Sequence, residues 1–330
     1  MLKKIISTML VASLAVSLFV GCGSSKEGAA NNDAGQTESA DTAASEEALD
    51  ELTFTYVTSP LNVPSIIDKD QKIFEKAFEG TKVNYAEITS GADQTQALAS
   101  GDVQVLYAVG ATSVILSAAN GGDIKVVNMY SRSPKAFCLF AKDDSIKSPE
   151  DLVGKTIAGP TGTNLHELLA AYLATAGLSI DDVNFVNMGI PDAKAALEGG
   201  SIDCALLAGA AAYQTQSQGY NLVTDGEGLI NAIIAVAVTN EFYEAHPEVI
   251  EKLESAQKEI LSYISENEDE ALAAVATELD LDEAAVKDMY QYYDFSLEIT
   301  DEDKAGFQRT ADFMYEAGMI DEEFDTSTLF

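Results

Sequence analysis

The sequence predicts an α/β chain of two lobes, each a mainly parallel sheet flanked by helices, with C-terminal helices packed on the first lobe. Three observations predict it. A β-α-β unit recurs at a constant offset of 99 residues, two extended apolar runs are placed to carry the chain between lobes, and almost everything after residue 242 has helical spacing.

The chain opens with "MLKKIISTMLVASLAVSLFVG", two lysines followed by an uncharged apolar run and a small residue, which is the pattern of a secretory signal over residues 1–21. Cys22 follows at once, and "LFVGC" resembles the lipobox of bacterial lipoproteins, in which cleavage before the cysteine exposes it for acylation. Residues 22–50 are small, polar and acidic, with almost no side chains able to build a core, so they are expected to be a disordered, lipid-anchored linker. As a coil it would span on the order of 30 Å. Without Lys3 and Lys4, 17 basic residues face 54 acidic ones, a net charge of −37. Such a surface repels nucleic acid and anionic head groups, so a lipid rather than charge must be the anchor.

From residue 51 the globular part begins. "LTFTYVTSP" is expected to be a strand and "SIIDKDQKIFEKAFEG" a helix. The repeat comes next: in 85–111 and 184–210, Asp93 matches Asp192, Leu98 matches Leu197, Gly101 matches Gly200, and Gly110-Ala111 matches Gly209-Ala210. Each copy gives a strand, a helix opened near the Asp, a Gly stop and a second strand. "KTIAGPTGT" and "LHELLAAYLATAGL" precede the second copy as the earlier strand and helix precede the first. The lobes are therefore expected at 51–134 with 240–330, and at 135–239. The runs 135–143 and 231–242 are the expected hinges. Beyond them, "HPEVIEKLESAQKEILSYISENEDEALAAVATEL" and the segments after it carry apolar residues three and four apart.

In open parallel sheets, ligands sit beyond the carboxyl ends of the strands, where loops lead into helix N-termini. The loop in "KTIAGPTGTNLHELL" (155–169) has this character. It lacks the Gly-Lys-Ser/Thr of a nucleotide P-loop, which leaves an anion or ligand cradle, or an ordinary turn in which Asn164 caps the helix and Glu167 completes a capping box.

The chain is similar to the substrate-binding proteins of ABC importers, in the branch for sulfonates, taurine, nitrate and thiamine pyrimidine precursors. The residues carrying the likeness are Ser90-Gly91 with "ALASGDVQVLYAVGA", then "IKSPEDLVGKTIAGPTGTNLHELLAAYLATAGL", "DAKAALEGGSIDCAL" and "EFYEAHPEVIEKL". The resemblance implies a type II periplasmic-binding-protein-like fold, a small molecule held between the lobes, and ABC permease and ATPase subunits as partners. It implies no cofactor and no enzyme activity, a monomer, and a place on the extracytoplasmic face of the cell membrane. The matching pocket loops hold Ser59 and Asn62, Ser90 and Gly91, Gly110, Ala111 and Thr112, Thr161, Gly162, Thr163 and Asn164, and Gly209. Ala208-Gly209-Ala210 stands where sulfonate-type relatives have Trp-Asp-Pro, which leaves the ligand open.

The chain has two arginines, and Arg132, just after "KVVNMYS", is the available oxyanion clamp, with a solvated loop charge as the alternative. His166 lies in the first helical turn after the GPTGTN loop, either at the cleft or packed on its helix. No nucleophile elbow or metal-binding His pair is present, and the cysteine-rich motif of a pyridoxal-dependent enzyme of this fold is absent. Cys138 and Cys204 lie in apolar runs, and whether they pair stays open. A lipid-anchored sensor would need the same cleft.

Overall fold

A computed structural model describes residues 49–330. The secretory signal, Cys22 and nearly all of the linker lie outside the described residues. Among those described, no helix is long and apolar enough to cross a membrane.

The first lobe runs β1 (Glu51–Thr55), α1 (Val63–Gln71), α2 (Ile73–Ala77), β2 (Lys82–Ala86), α3 (Gly91–Ser100), β3 (Leu106–Gly110), α4 (Ala111–Ala119) and β4 (Lys125–Arg132). The second runs β5 (Phe137–Ala141), β6 (Thr156–Gly159), α5 (Asn164–Ala174), β7 (Asn184–Asn187), α6 (Ile190–Gly199), β8 (Cys204–Ala208), α7 (Gly209–Ser217) and β9 (Asn221–Asp225). The chain then forms β10 (Ile233–Val238) and the helices α8 (Asn240–Ala245), α9 (Pro247–Glu266), α10 (Glu268–Leu279), α11 (Glu283–Tyr290) and α12 (Asp301–Glu316).

The second lobe holds a five-stranded sheet in the order β7-β6-β8-β5-β9, in which only β5 runs against its neighbours. In the first, β1 pairs with β2 and β10 lies antiparallel between β3 and β4. A parallel bridge from Phe54 to Val105, with Thr55 N–H bonding the Val105 carbonyl at 3.0 Å, joins the two pieces into β2-β1-β3-β10-β4. That order matches the second sheet strand for strand, so the repeat in the sequence is a repeat in space. Where the β1–β3 ladder ends, the Thr55 hydroxyl takes its place, accepting from Tyr107 N–H at 2.7 Å and donating to the Tyr107 carbonyl at 3.0 Å.

Two expectations need correction. The strand expected to close the second lobe at residue 239 belongs to the first, because Ile233–Val238 pairs on both edges with first-lobe strands. Both apolar runs are therefore sheet interior, and the chain crosses in the short segments between β4 and β5 and between β9 and β10. The single helix expected over 65–80 is two: Lys72 takes φ 54°, and the buried Asp68 carboxylate restarts the helix by accepting from Phe74 N–H at 2.7 Å. Asp68 also accepts from Tyr85 OH at 2.7 Å, which ties the helix break to β2.

α9, α10 and α11 bury their apolar faces on the first-lobe core with Leu253, Ile260, Leu272, Val275 and Val286, while α12 covers α4 and β10 with Phe307, Ala311 and Met314. The second lobe has its own cores on the two sides of its sheet, built from residues such as Leu139, Leu168 and Leu206, and Phe140, Ala193 and Leu207. Cys138 and Cys204 are free. They sit on adjacent strands three register positions apart, roughly 10 Å along the strand, beyond the reach of a disulfide.

Candidate functional site

The expected loops all leave the carboxyl ends of strands at the edge where the lobes face one another. β1 and β2 are parallel neighbours, so the Ser59–Asn62 loop and the Ser90–Gly91 loop emerge side by side. The first of these touches the other lobe. A Cβ placed on Gly209 would lie 2.1 Å from the Pro60 carbonyl oxygen and 2.6 Å from its carbon, so the β8–α7 turn abuts the β1–α1 loop with no room for a side chain. Two further bonds cross between lobes. Thr310 Oγ1 on α12 donates to Glu167 Oε1 on α5 at 2.8 Å, and Tyr213 OH on α7 donates to Asp288 on α11 at 3.3 Å.

Seven polar side-chain atoms are buried and have no hydrogen-bond partner among the described residues. They are Asn62 Oδ1, Gln94 Oε1, Ser131 Oγ, Ser133 Oγ, His166 Nε2, Thr215 Oγ1 and Tyr293 OH. Buried polar atoms are nearly always satisfied, and five of these seven residues, Asn62, Gln94, Ser131, Ser133 and His166, stand at strand ends or in the loops and first helical turns that follow them, where a ligand would be held. A groove of about 270 Å³ lies elsewhere, between α2 and α9, lined by residues that include Gln71, Lys76, Glu259 and Tyr263. It contains none of the expected loop residues and none of the orphaned atoms, so the edge is the better candidate.

Ser90 caps α3, accepting from Asp93 N–H at 3.4 Å, and a Cβ on Gly91 would collide with Ser113 Oγ at 2.0 Å, so this glycine serves the packing of α3 on α4. Gly110 precedes α4, and Ala111 and Thr112 in its first turn are buried. Asn62 is 2 % exposed, with Nδ2 donating to the Val57 and Ser59 carbonyls. Ser59 supplies one of those carbonyls, which holds the Asn62 amide in place.

The GPTGTN loop spends most of its donors on itself. Thr161 N–H bonds Asn187 Oδ1 at 3.0 Å, Gly162 N–H bonds His166 Nδ1 at 3.3 Å, and the Thr163 hydroxyl donates to the Pro160 carbonyl at 2.9 Å. Thr163, not Asn164, caps α5, accepting from Leu165 N–H, and Glu167 turns away to Thr310 instead of closing a capping box. What remains free is the N–H of Thr163 and Asn164 and the buried Asn164 amide, which make no hydrogen bond among the described residues. Gly162 has φ +72°, so the turn needs a glycine, and nothing lies within 4 Å of the place its Cβ would take.

Arg132 does not serve as an oxyanion clamp here. Its Nε and NH2 grip the Asp303 carboxylate at 2.5 and 2.6 Å, and NH1 and NH2 bond the Ser296 and Glu298 carbonyls. The guanidinium is thus a rivet between β4 and the start of α12, with its side chain 17 % and that of Asp303 3 % exposed. The Asp303 carboxyl is held below its usual range, burial opposing and the Arg132 and Thr300 bonds prevailing. Arg132→Met is expected to lower stability by about 2 kcal/mol, discounted from the 3–5 of a fully buried pair for its partial exposure, with ligand affinity unchanged; denaturant titration and calorimetry check both.

His166 is packed, its ring stacked on Phe185 with centroids 4.8 Å apart and planes at 8°. Burial lowers its pKa, so it is neutral, and because Nδ1 accepts from Gly162 the ring proton sits on the orphaned Nε2. Among the described residues, no group of His, Cys, Asp and Glu is placed to hold a metal.

Gln94, 3 % exposed, was not among the residues the sequence singled out. The repeat held the signal: at the offset of 99 its counterpart is Ala193, a fully buried position, and an amide there needs a reason.

The family model described as NMT1/THI5 like matches residues 69–271. The taurine-binding periplasmic protein of Escherichia coli (strain K12) is 32% identical over 203 residues, 60% of this chain and 62% of that protein, so the match spans less than two thirds of that relative. The crystal structure of the periplasmic aliphatic sulphonate binding protein SsuA from Escherichia coli superposes with TM-score 0.76 at 22% identity, over 85% of this chain and 92% of that one. The desulfurization enzyme DSZB superposes with TM-score 0.64 at 17% identity, over 85% and 96%. At such identities the two structures establish the shared two-lobed fold and nothing more.

Proposed function

The chain belongs to the NMT1/THI5-like family, and from that membership we propose that it is the substrate-binding protein of an ABC importer. It would capture a small sulfonate-like molecule between its lobes and hand it to a permease driven by a separate ATPase. The observation that carries the reading is the paired edge: two matched lobes meet at Pro60 and Gly209, and several buried polar atoms without partners stand at the strand ends and helix starts of those lobes. Two lobes that close over a desolvated polar edge suit capture and release. The taurine-binding relative supports sulfonates as the first class to test. Binders of thiamine pyrimidine precursors or other small heteroaromatics form the second class, favoured by the absence of a free guanidinium at the edge.

The same proposal places the protein as a monomer on the extracytoplasmic face, tethered through a lipid on Cys22. DSZB shows that this fold also hosts enzymes. Against a thiol nucleophile here, burial pushes both the Cys138 and Cys204 thiols up to about 12, so neither supplies a thiolate near neutral pH.

Thermal shift of the full chain against sulfonates, nitrate, aminopyrimidines and amino acids tests the reading. Ligand at 100 times its dissociation constant adds about 2.7 kcal/mol to stability, which a melting curve resolves readily. No shift with any class would refute it. Cys22→Ala is expected to release the protein from membranes with its melting temperature unchanged, and retention would refute the lipid anchor.

A further inference from the structure

The second crossing between the lobes holds a buried non-glycine residue in the left-handed region. Ala232 takes φ +46° and is 2 % exposed. A residue with a Cβ rarely adopts that backbone, and it persists only where its surroundings impose it. Here both lobes impose it. Asn231 is held by the first lobe: its Oδ1 accepts from Arg309 on α12 at 2.9 Å, and a Cβ on Gly306 would lie 3.0 Å from its Cγ. Ile233 is held there too, paired with Arg132 at the start of β10 and packed in a first-lobe core. Between them, the Ala232 methyl belongs to the second-lobe core with Leu139 and Leu206.

The residues just before are fastened to the second lobe, because Leu229 and Ile230 N–H both bond the Gly226 carbonyl at 3.0 Å. A turn of the second lobe thus ends at Ile230 and first-lobe pairing begins at Ile233, so on this side a rotation between lobes is absorbed at Asn231 and Ala232. The first crossing carries no comparable strain: Ser133 has φ −153°, and the proline ring fixes φ at Pro134.

We propose that Ala232 is a strained hinge that favours opening. Its left-handed backbone is imposed while the lobes touch at Pro60 and Gly209, and it relaxes once the methyl leaves the second-lobe core. The strain is then carried by the closed form alone and lowers its population about fivefold or more, which assists release of whatever the lobes enclose. This motion belongs to the fold and can be followed with no ligand present.

The test is pulsed dipolar spectroscopy on the ligand-free full chain, with spin labels at Asp93→Cys and Asp192→Cys. These exposed, matching positions lie in the first turns of α3 and α6, one on each lobe. Cys22→Ala is included so that position 22 takes no label, and Cys138 and Cys204 are buried. Ala232→Gly removes the strain, since glycine adopts positive φ freely, and also removes a buried methyl. Set against each other, these two effects leave an expected rise of about threefold in the ratio of short to long distances. Were Ala232 only a packing residue, loss of its methyl would loosen the lobes and move the ratio the other way. Ala108→Gly is the control. Ala108 is also buried and left-handed, at φ +79°, but it sits at the bulge of β3 against β10 within the first-lobe sheet, so its strain is common to both forms and the ratio should not move. Melting curves confirm that the variants fold. An unchanged or lowered ratio in Ala232→Gly, whether one distance is seen or two, overturns the proposal, as does an equal rise in Ala108→Gly. None of these outcomes bears on the importer reading, which the thermal-shift panel decides.

Discussion

Gly209→Ala is expected to hold the two lobes apart and weaken ligand binding by about two orders of magnitude or more. Gly209 opens α7 with φ +55°, and its missing side chain faces the Pro60 backbone from the other lobe. A methyl group there would meet a carbonyl oxygen at 2.1 Å, well inside van der Waals contact, and both sides of the clash are backbone. Neither can swing aside as a flexible side chain could, so the β8–α7 turn must shift or the lobes must separate. Moving a closed form from dominant to one in a hundred lowers apparent affinity by the same factor, because only the closed form makes both halves of the site. The left-handed backbone adds roughly 1 kcal/mol of strain for any residue with a Cβ. Calorimetric titration with the ligand found by screening measures the loss, and small-angle scattering should show a larger radius of gyration. Gly162→Ala is the control: it has the same left-handed strain at φ +72° but open space around its Cβ, so it should lose about 1 kcal/mol of stability and keep its affinity. Equal affinities for the two variants would show that the Pro60–Gly209 contact plays no part in closure.

The repeat made most of the architecture legible before any coordinates. Strands at 85 and 184, glycine stops at 101 and 200, and the Gly-Ala turns at 110 and 209 are local features, set by side-chain periodicity and turn chemistry, and they survive into the fold at nearly the same offset. What failed was non-local. Ile233–Val238 is apolar on both faces, as any interior strand is, and nothing in its composition tells which sheet it enters. Arg132 failed in the same way: a lone arginine after a strand suits an anion clamp, but its partner Asp303 lies 171 residues on, in the last long helix. The GPTGTN loop was half legible. Its turn and helix start were correctly placed, yet which residue caps depends on one rotamer, and Thr163 won over its neighbour because its hydroxyl reaches both Pro160 O and Leu165 N–H. Of the site, the loops were visible in the sequence, and which of their polar atoms stay free was not. That follows from which carbonyl each amide happens to face.

Glu167→Gln is expected to remove much of the protein's pH dependence of stability between pH 4.5 and 7.5. Glu167 is 6 % exposed, lies in the first turn of α5 and has no ion-pair partner among the described residues; the Thr310 hydroxyl is its hydrogen-bond partner across the lobe boundary. Burial pushes its carboxyl up to about 7, with the Thr310 bond opposing in part. A carboxyl whose folded pKa lies above its unfolded value near 4.5 takes up a proton on folding, so its contribution is full below pH 4.5 and is lost as the pH rises through 7. A shift of that size corresponds to on the order of 3 kcal/mol. Glutamine keeps an acceptor for Thr310 and cannot ionise, so the difference in unfolding free energy between the two proteins should grow with pH across this window and level off above it. Asp68, also pushed up to about 7 by burial, acts in the same direction but is common to both proteins and cancels in the difference. Asp303 and the other carboxyls held low titrate below the window. Because Glu167 and Thr310 belong to different lobes, ionisation at the dry boundary should also favour opening, so ligand affinity of the unmodified chain should fall above pH 7 while that of Glu167→Gln does not. Parallel stability profiles for the two proteins would show that Glu167 is already ionised in the folded state, stabilised by groups other than Thr310.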